Sequence, residues 1–67
     1  MSTILKISTS AGDVELYEGR YGYFITNPKG HCIDNLGCGA FMDLDHAVNV
    51  ASQIAATWQH EAEQVGG

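Results

Sequence analysis

The 67-residue sequence has few basic residues: Lys6, Arg20 and Lys29 stand against eight aspartates and glutamates, and the formal net charge at pH 7 is −5. Nucleic acids are bound largely through lysine and arginine contacts to phosphates, and three such residues make too small a footprint. We therefore expect no direct contact with nucleic acid. An acidic chain of this kind favours a basic protein partner, although the same charge also keeps a small protein soluble.

The sequence also lacks a long hydrophobic run and a secretory leader. No stretch approaches the roughly 18 apolar residues of a membrane span, and the opening residues MSTILKIS lack the basic, apolar and small-residue layout of a signal peptide. We expect a cytoplasmic protein with no membrane partner, in which the two cysteines stay reduced.

Motifs for catalysis and metal binding are missing too. Gly-x-Ser-x-Gly, a phosphate-binding glycine loop and His-Glu-x-x-His are all absent. In the stretch GHCIDNLGCG, residues 30–39, the spacing of Cys32 and Cys38 fits neither a zinc knuckle nor a thioredoxin-type pair, and strand geometry would point His31 and Cys32 to opposite faces. We interpret this stretch as an ordinary turn with small, buried cysteines, and expect no enzyme activity, metal or cofactor.

Strand patterns fill the first half of the chain. Residues 3–8 alternate as a strand does, and residues 13–27 predict a hairpin that turns at Gly19, with Glu18-Gly19 or Gly19-Arg20 as its two turn residues. Both turns predict the same faces, because their registers differ by an even number. One face collects Val14, Leu16, Tyr21, Tyr23 and Ile25, and the other collects Asp13, Glu15, Tyr17, Gly22, Phe24 and Thr26.

The rest of the chain predicts a turn, a short strand and a helix. NPKG, residues 27–30, is a turn sequence, HCIDN predicts a short fourth strand, and AFM predicts a fifth fragment or the lead-in to the helix. Asp43 is a favourable N-cap, and apolar residues then recur at helical spacing, which predicts a helix over about 44–64. These apolar positions are Leu44, Ala47, Val48, Ala51, Ile54, Ala55, Trp58 and Ala62.

We therefore predict a single α+β domain over residues 1–67. In it, an antiparallel sheet of three to five strands carries one C-terminal amphipathic helix packed across one face. The helix stripe and the sheet face that bears Val14 and Ile25 would form the core, with Trp58 closing its end.

One helix covers only one side of a sheet, so the other side is expected to remain open. The hairpin pattern places Tyr17 and Phe24 on this side, beside Asp13 and Glu15. Apolar surface of this kind is unusual on a monomer, which favours an interface with a second copy or with another protein. The alternative is that the two rings only shield Gly22 and the backbone.

Three more carboxylates are secondary candidates for partner binding. Glu61 and Glu63 lie near the C-terminus of the predicted helix, where the helix dipole prefers cations, and Asp34 lies in the predicted fourth strand. The register of that strand stays open at this point. A four-residue NPKG loop places Ile33 beside Phe24, whereas a bulge turns Ile33 to the other face.

The very small size, acidic balance, cytoplasmic character and sheet-plus-one-helix plan resemble those of the anti-CRISPR proteins of phages and mobile elements. The resemblance covers the whole chain through composition and layout, without a shared motif. It implies a non-catalytic inhibitor that blocks a CRISPR effector complex, with a type I surveillance complex as one candidate, by occupying its DNA-binding surface with an acidic DNA mimic. Such a protein would act in the cytoplasm of the host bacterium.

The residues expected to bind the partner come from the strand and helix patterns themselves. They are Asp13, Glu15, Tyr17 and Phe24 on the sheet, with Asp34, Glu61 and Glu63 as secondary candidates. The alternative prediction is a small homodimeric structural or regulatory protein of a phage or bacterium, in which the open sheet face pairs with its own copy.

Overall fold

The computed structural model describes residues 2–33 and 40–65, and within them it has the predicted α+β layout. A four-stranded antiparallel sheet, in the spatial order β1-β2-β3-β4, packs against one C-terminal helix. The strands are β1 (Ser2–Thr9), β2 (Gly12–Gly19), β3 (Gly22–Thr26) and β4 (Cys32–Ile33), and the helix is α1 (Leu44–Val65). No helix in these ranges combines the length and the apolar character that crossing a membrane requires.

A tight turn joins β1 to β2. The Thr9 hydroxyl donates to the Gly12 carbonyl at 2.7 Å and accepts from the Ala11 N–H at 3.1 Å. Along the strands, the register shifts between Thr3 and Leu5, which leaves a β-bulge at the exposed Ile4. The bulge blunts this edge of the sheet because it interrupts the regular ladder.

The β2–β3 hairpin turns at Arg20-Tyr21, so the predicted turn at Gly19 is wrong: Gly19 pairs with Gly22 across the strands. Gly22 has a φ of 139°, a backbone conformation that residues other than glycine rarely adopt, and it is the first residue of β3 after the turn. Tyr21 therefore does not belong to the core face but is a turn residue, 73% exposed. The remaining faces are as predicted, since the register differs by an even number and Tyr17 still lies opposite Phe24.

The connection between β3 and β4 has five residues rather than four. The Asn27 side-chain Oδ1 accepts hydrogen bonds from the N–H groups of Lys29 and His31 at 2.9 and 3.0 Å, and the Asn27 backbone carbonyl accepts the N–H of Gly30 at 2.8 Å. Gly30 closes this turn with a φ of 83°. The hydrogen bonds of the Asn27 side chain thus make the loop one residue longer than the NPKG turn alone would be.

This loop length decides which way β4 faces. Ile33 lies opposite Ile25, on the helix side of the sheet, and Cys32 lies opposite Thr26, on the other side. Of the two alternatives for this strand, the register that turns Ile33 away from Phe24 is thus the one found. Cys32 is exposed, so the expectation that it is a buried hydrophobe is wrong, and Cys38 lies outside the described residues.

The core lies between the sheet and α1. The alanines of the helix stripe are small, which lets the helix backbone approach the sheet closely. Trp58 is only half-buried and lines the groove with Ile33 and Ile54, so the prediction that it closes the end of the core is wrong. Leu44 is 38% exposed and does not belong to the buried stripe. The buried hydrophobic residues are Val14, Leu16, Ile25, Phe41, Ala47, Ala51 and Ala55.

Phe41 enters the core through a β-bridge that precedes the helix. Its N–H and carbonyl bond to the carbonyl and N–H of Tyr23, at 2.9 and 2.7 Å, so it pairs with β3 as an isolated bridge on the edge that β4 also uses. The helix begins immediately afterwards. The Asp43 carboxylate accepts the His46 N–H at 3.2 Å, which confirms the predicted N-cap.

Candidate functional site

The side of the sheet that faces away from α1 is called the open face here. The helix packs against the opposite side, where Val14, Leu16 and Ile25 are fully buried. Among the described residues, no second layer covers the open face. By register it carries Thr3, Lys6 and Ser8 on β1, Asp13, Glu15, Tyr17 and Gly19 on β2, Gly22, Phe24 and Thr26 on β3, and Cys32 on β4.

The centre of the open face is an aromatic pair. The ring centroids of Tyr17 and Phe24 lie 5.8 Å apart with an angle of 25° between the ring planes, and both side chains are half-buried. The Phe24 ring lies over Gly19, where a methyl group would overlap it. The rings therefore do shield a glycine, as the alternative interpretation holds, but that glycine is Gly19 and not Gly22.

The surroundings of Tyr17 act on its phenol. Burial is the main cause that raises the pKa of Tyr17 above its ordinary value of 10.0, followed by the charge of Cys32, a hydrogen bond with Cys32 and the charge of Glu15. The thiol and the carboxylate thus both lie close enough to the phenol to act on it. At neutral pH Tyr17 is consequently an uncharged ring with a polar hydroxyl.

Charges on the open face are unequally compensated. Lys6 Nζ lies 3.5 Å from Asp13 Oδ2, an exposed ion pair that contributes at most about 1 kcal/mol. Glu15 lies directly opposite Lys6 in the β1–β2 register, yet in the described part of the chain it has no ion-pair partner of its own. Lys6 therefore pairs with Asp13 rather than with Glu15, which lies two residues from Tyr17 on β2.

Further apolar side chains lie near the aromatic pair at the end of the β2–β3 hairpin. Phe24 leans over Gly19, the last residue of β2, and the Met42 sulfur approaches Gly22 across the same end of the hairpin. Met42 and Tyr21 are the most exposed large hydrophobic residues described, at 77% and 73%. An apolar surface thus runs from the middle of the open face around the end of the hairpin.

The other predicted carboxylates do not join this surface. Glu61 and Glu63 are exposed on α1, on the far side of the sheet from Asp13 and Glu15. Gln59 holds this end of the helix to the β1–β2 turn, since its side chain accepts the Ser10 N–H at 2.7 Å and donates to Glu63 at 3.3 Å. The helix end is therefore a second, separate acidic surface, and Asp34 lies outside the described residues.

Two shallow grooves flank α1. The groove beside β4 measures about 280 Å³ and includes Ile33, Ile54 and Trp58, and the groove beside β1 measures about 270 Å³ and includes Ile7 and Ala55. None of the described residues that line these grooves has an ionisable side chain. Within residues 2–33 and 40–65, no three His, Cys, Asp or Glu side chains converge as metal ligands would.

Sequence reasoning missed Cys32 and Gly19 as parts of the open face. The signal for Cys32 was Asn27, whose side chain can extend a turn by bonding to later N–H groups. For Gly19 the signal was its spacing, because it lies two residues beyond Tyr17 and thus on the same face of the strand.

No protein-family model matches the chain, and no curated protein or solved structure matches it either.

Proposed function

We propose that the protein is a non-catalytic protein-binding module and that the open face binds its partner. The observation that supports this best is the Tyr17–Phe24 pair, which lies beside Asp13 and Glu15 on a sheet face that the helix leaves uncovered. Protein interfaces combine central aromatic residues with a polar rim in this way. The two carboxylates make the rim acidic.

The partner we propose is a basic, nucleic-acid-binding protein complex. A net charge of −5 and the uncompensated Glu15 favour association with a lysine- and arginine-rich channel, which already attracts negative charge. The small size, acidity and layout resemble anti-CRISPR proteins, so the candidate complex is a CRISPR effector such as a type I surveillance complex. The protein would inhibit it in the bacterial cytoplasm by mimicking DNA and excluding the target strand.

The size of the open face indicates how the partner would sit. Strands about 4.8 Å apart and at most eight residues long project over roughly 300–400 Å². A standard interface buries about 800 Å² on each partner, so the open face alone is too small. The exposed Tyr21 and Met42 at the end of the hairpin extend the surface, and we propose that the partner covers them together with Tyr17 and Phe24.

Affinity capture tests this proposal. The tagged protein is incubated with a bacterial lysate that contains an active CRISPR system, and captured proteins are identified by mass spectrometry at low and moderate salt. We expect effector subunits in stoichiometric amounts, with less capture at higher salt because exposed charges are screened.

Two charge-reversed variants locate the surface in the same experiment. The Asp13→Lys/Glu15→Lys variant changes the open face, and the Glu61→Lys/Glu63→Lys variant makes the same change in charge at the helix end. We expect the first variant to lose effector subunits and the second to retain most of them. Equal capture by a folded Asp13→Lys/Glu15→Lys variant would exclude the open face, and recovery of the bait alone would reject the proposed function.

A second candidate function is a homodimeric structural or regulatory protein. The observation that favours it is the uncovered Tyr17–Phe24 pair itself, because a second copy could cover this half-buried aromatic surface as well as another protein could. Light scattering over a wide concentration range decides between the candidates. A dimer at every concentration supports self-association, and a monomer throughout excludes it.

A further inference from the structure

We infer that the open face recognises an arginine side chain of its partner, which would lie against the Tyr17 and Phe24 rings with Glu15 as its counter-ion. This inference rests on the proposed function, because it names the partner group that the binding module would take. It follows from the charge left on the face, from the arrangement of the two rings and from the exclusion of other planar ligands.

The charge left on the face is that of Glu15. Lys6 is engaged with Asp13 at 3.5 Å, and by register no other described strand position on the open face is a lysine or arginine; Arg20 lies in the β2–β3 turn and Lys29 in the β3–β4 loop. Glu15 is half-buried and two residues from Tyr17 on β2, so its charge lies beside the ring. A cation that approaches the aromatic pair therefore meets a carboxylate that is not already paired.

The arrangement of the rings suits a flat cation. They lie within 25° of parallel with centroids 5.8 Å apart, and Phe24 rests on Gly19, so a planar group can stack on the free side of the pair. Cations bind to aromatic rings within about 6 Å of the centroid. Arginine is favoured over lysine because its guanidinium is planar, weakly hydrated and able to bond a carboxylate with two N–H groups at once.

Nucleic-acid bases also stack on aromatic side chains, but they do not fit this face. Base-stacking surfaces lie in positively charged grooves that follow the phosphates. Here Glu15 lies next to Tyr17 along the same face of β2, Asp13 lies two residues further from the rings, and Lys6, opposite Glu15, is paired with Asp13. The face would therefore repel phosphates and attract an arginine.

Two synthetic peptides of equal charge test the inference without the partner. Both have glycine and serine spacers, and one carries three arginines where the other carries three lysines. They are titrated into isotope-labelled full-length protein and followed by NMR. We expect the arginine peptide to shift the signals of Glu15, Tyr17 and Phe24 and to bind about threefold more tightly than the lysine peptide.

Matched variants separate the ring and the carboxylate from general effects. We expect Phe24→Leu to weaken binding of the arginine peptide about threefold and Phe24→Tyr to restore it, because only the latter keeps the ring. Glu15→Gln should weaken binding by a similar factor, whereas Glu61→Gln, with the same change in charge, should leave it unchanged. Circular dichroism confirms that each variant is folded.

Three results would overturn the inference: equal affinity for the two peptides, equal affinity in Phe24→Leu and Phe24→Tyr, or signal shifts confined to the helix end. Its failure can be told apart from failure of the proposed function. If effector subunits are captured but the peptides bind equally, only the arginine inference is wrong. If nothing is captured but the arginine peptide binds the open face, only the proposed partner is wrong.

Discussion

Tyr17 stacks with Phe24 and lies close to both Glu15 and Cys32. Burial and these two neighbours all raise the pKa of its phenol. A charged phenolate at this position would be partly desolvated and would face a carboxylate and a thiolate. These effects all favour the neutral ring. Tyr17 therefore reports on the integrity of the open face through its titration.

We predict that Tyr17 titrates above pH 10.0, because burial, then Cys32 and Glu15, raise its pKa. The folded protein holds this proton more tightly than the unfolded chain, so the associated stability is present below pH 10 and is lost as pH rises through the folded-state pKa. The phenolate absorbance of the wild type minus that of Tyr17→Phe gives the midpoint. A midpoint at or below 10.0 would contradict the described surroundings, and Cys32→Ser should move it down towards 10.0.

Gly22 and Gly30 provide a second prediction for single residues. Both have positive φ, but an alanine Cβ at Gly22 would lie 2.6 Å from the Phe41 carbonyl oxygen, whereas Gly30 has open space around it. We expect Gly22→Ala to lower the free energy of unfolding by about 1–3 kcal/mol, and by more than Gly30→Ala does. Urea denaturation measures both. Equal losses would show that strain in φ, and not the Tyr23–Phe41 bridge, decides the cost.

At the scale of elements, the spacing of apolar residues predicted the helix and the two faces of the hairpin. The helix stripe and the Asp43 cap gave α1 almost to its last residue, since both signals depend on residues within one or two turns. The hairpin faces were also predicted although its turn was misplaced, because an even change in register keeps every side chain on its face. Local patterns thus determine most of this fold.

Features that depend on loop length or on distant pairing were not predicted. One additional residue in the Asn27–His31 loop was enough to reverse β4, which moved Cys32 to the open face and Ile33 to the helix side. Phe41 reaches the core through a bridge to Tyr23, eighteen positions earlier in the chain, and no short-range pattern marks such a pairing.

The close contact between α1 and the sheet can be tested with two alanines. Ala51 is buried against the sheet, whereas Ala56 is exposed on the same helix. We expect Ala51→Leu to lower the free energy of unfolding by about 1–3 kcal/mol through overpacking. Ala56→Leu keeps helix propensity nearly the same and should change it by less than about 0.5 kcal/mol. Similar losses in thermal or urea unfolding would contradict the close packing.

At the scale of the whole molecule, the sequence located part of the candidate site. Asp13, Glu15, Tyr17 and Phe24 share one face, as strand alternation predicts, while their role in binding stays a prediction. Glu61 and Glu63 belong to a different surface, because the sheet lies between them and the open face. Composition alone cannot show that the acidic residues form two separate surfaces, since their separation depends on which side of the sheet the helix occupies.

In the described part of the chain, α1 covers one side of the sheet and leaves the other uncovered, and the proposed function depends on the uncovered side. Cys32 is an exposed thiol on that side, close to Tyr17, and a partner that covers the aromatic pair would cover it as well. Replacing Cys38 with serine leaves Cys32 as the single thiol in the chain. Its rate of alkylation then measures how accessible the open face is.

The most direct measurement is therefore the alkylation rate of Cys32 in the Cys38→Ser variant, alone at several concentrations and bound to captured effector subunits. We predict rapid labelling of the free protein at every concentration and at least tenfold slower labelling in the complex. Equally rapid labelling in the complex would show that the open face is not where the partner binds. Slow labelling of the free protein, increasing on dilution, would show instead that a second copy covers it.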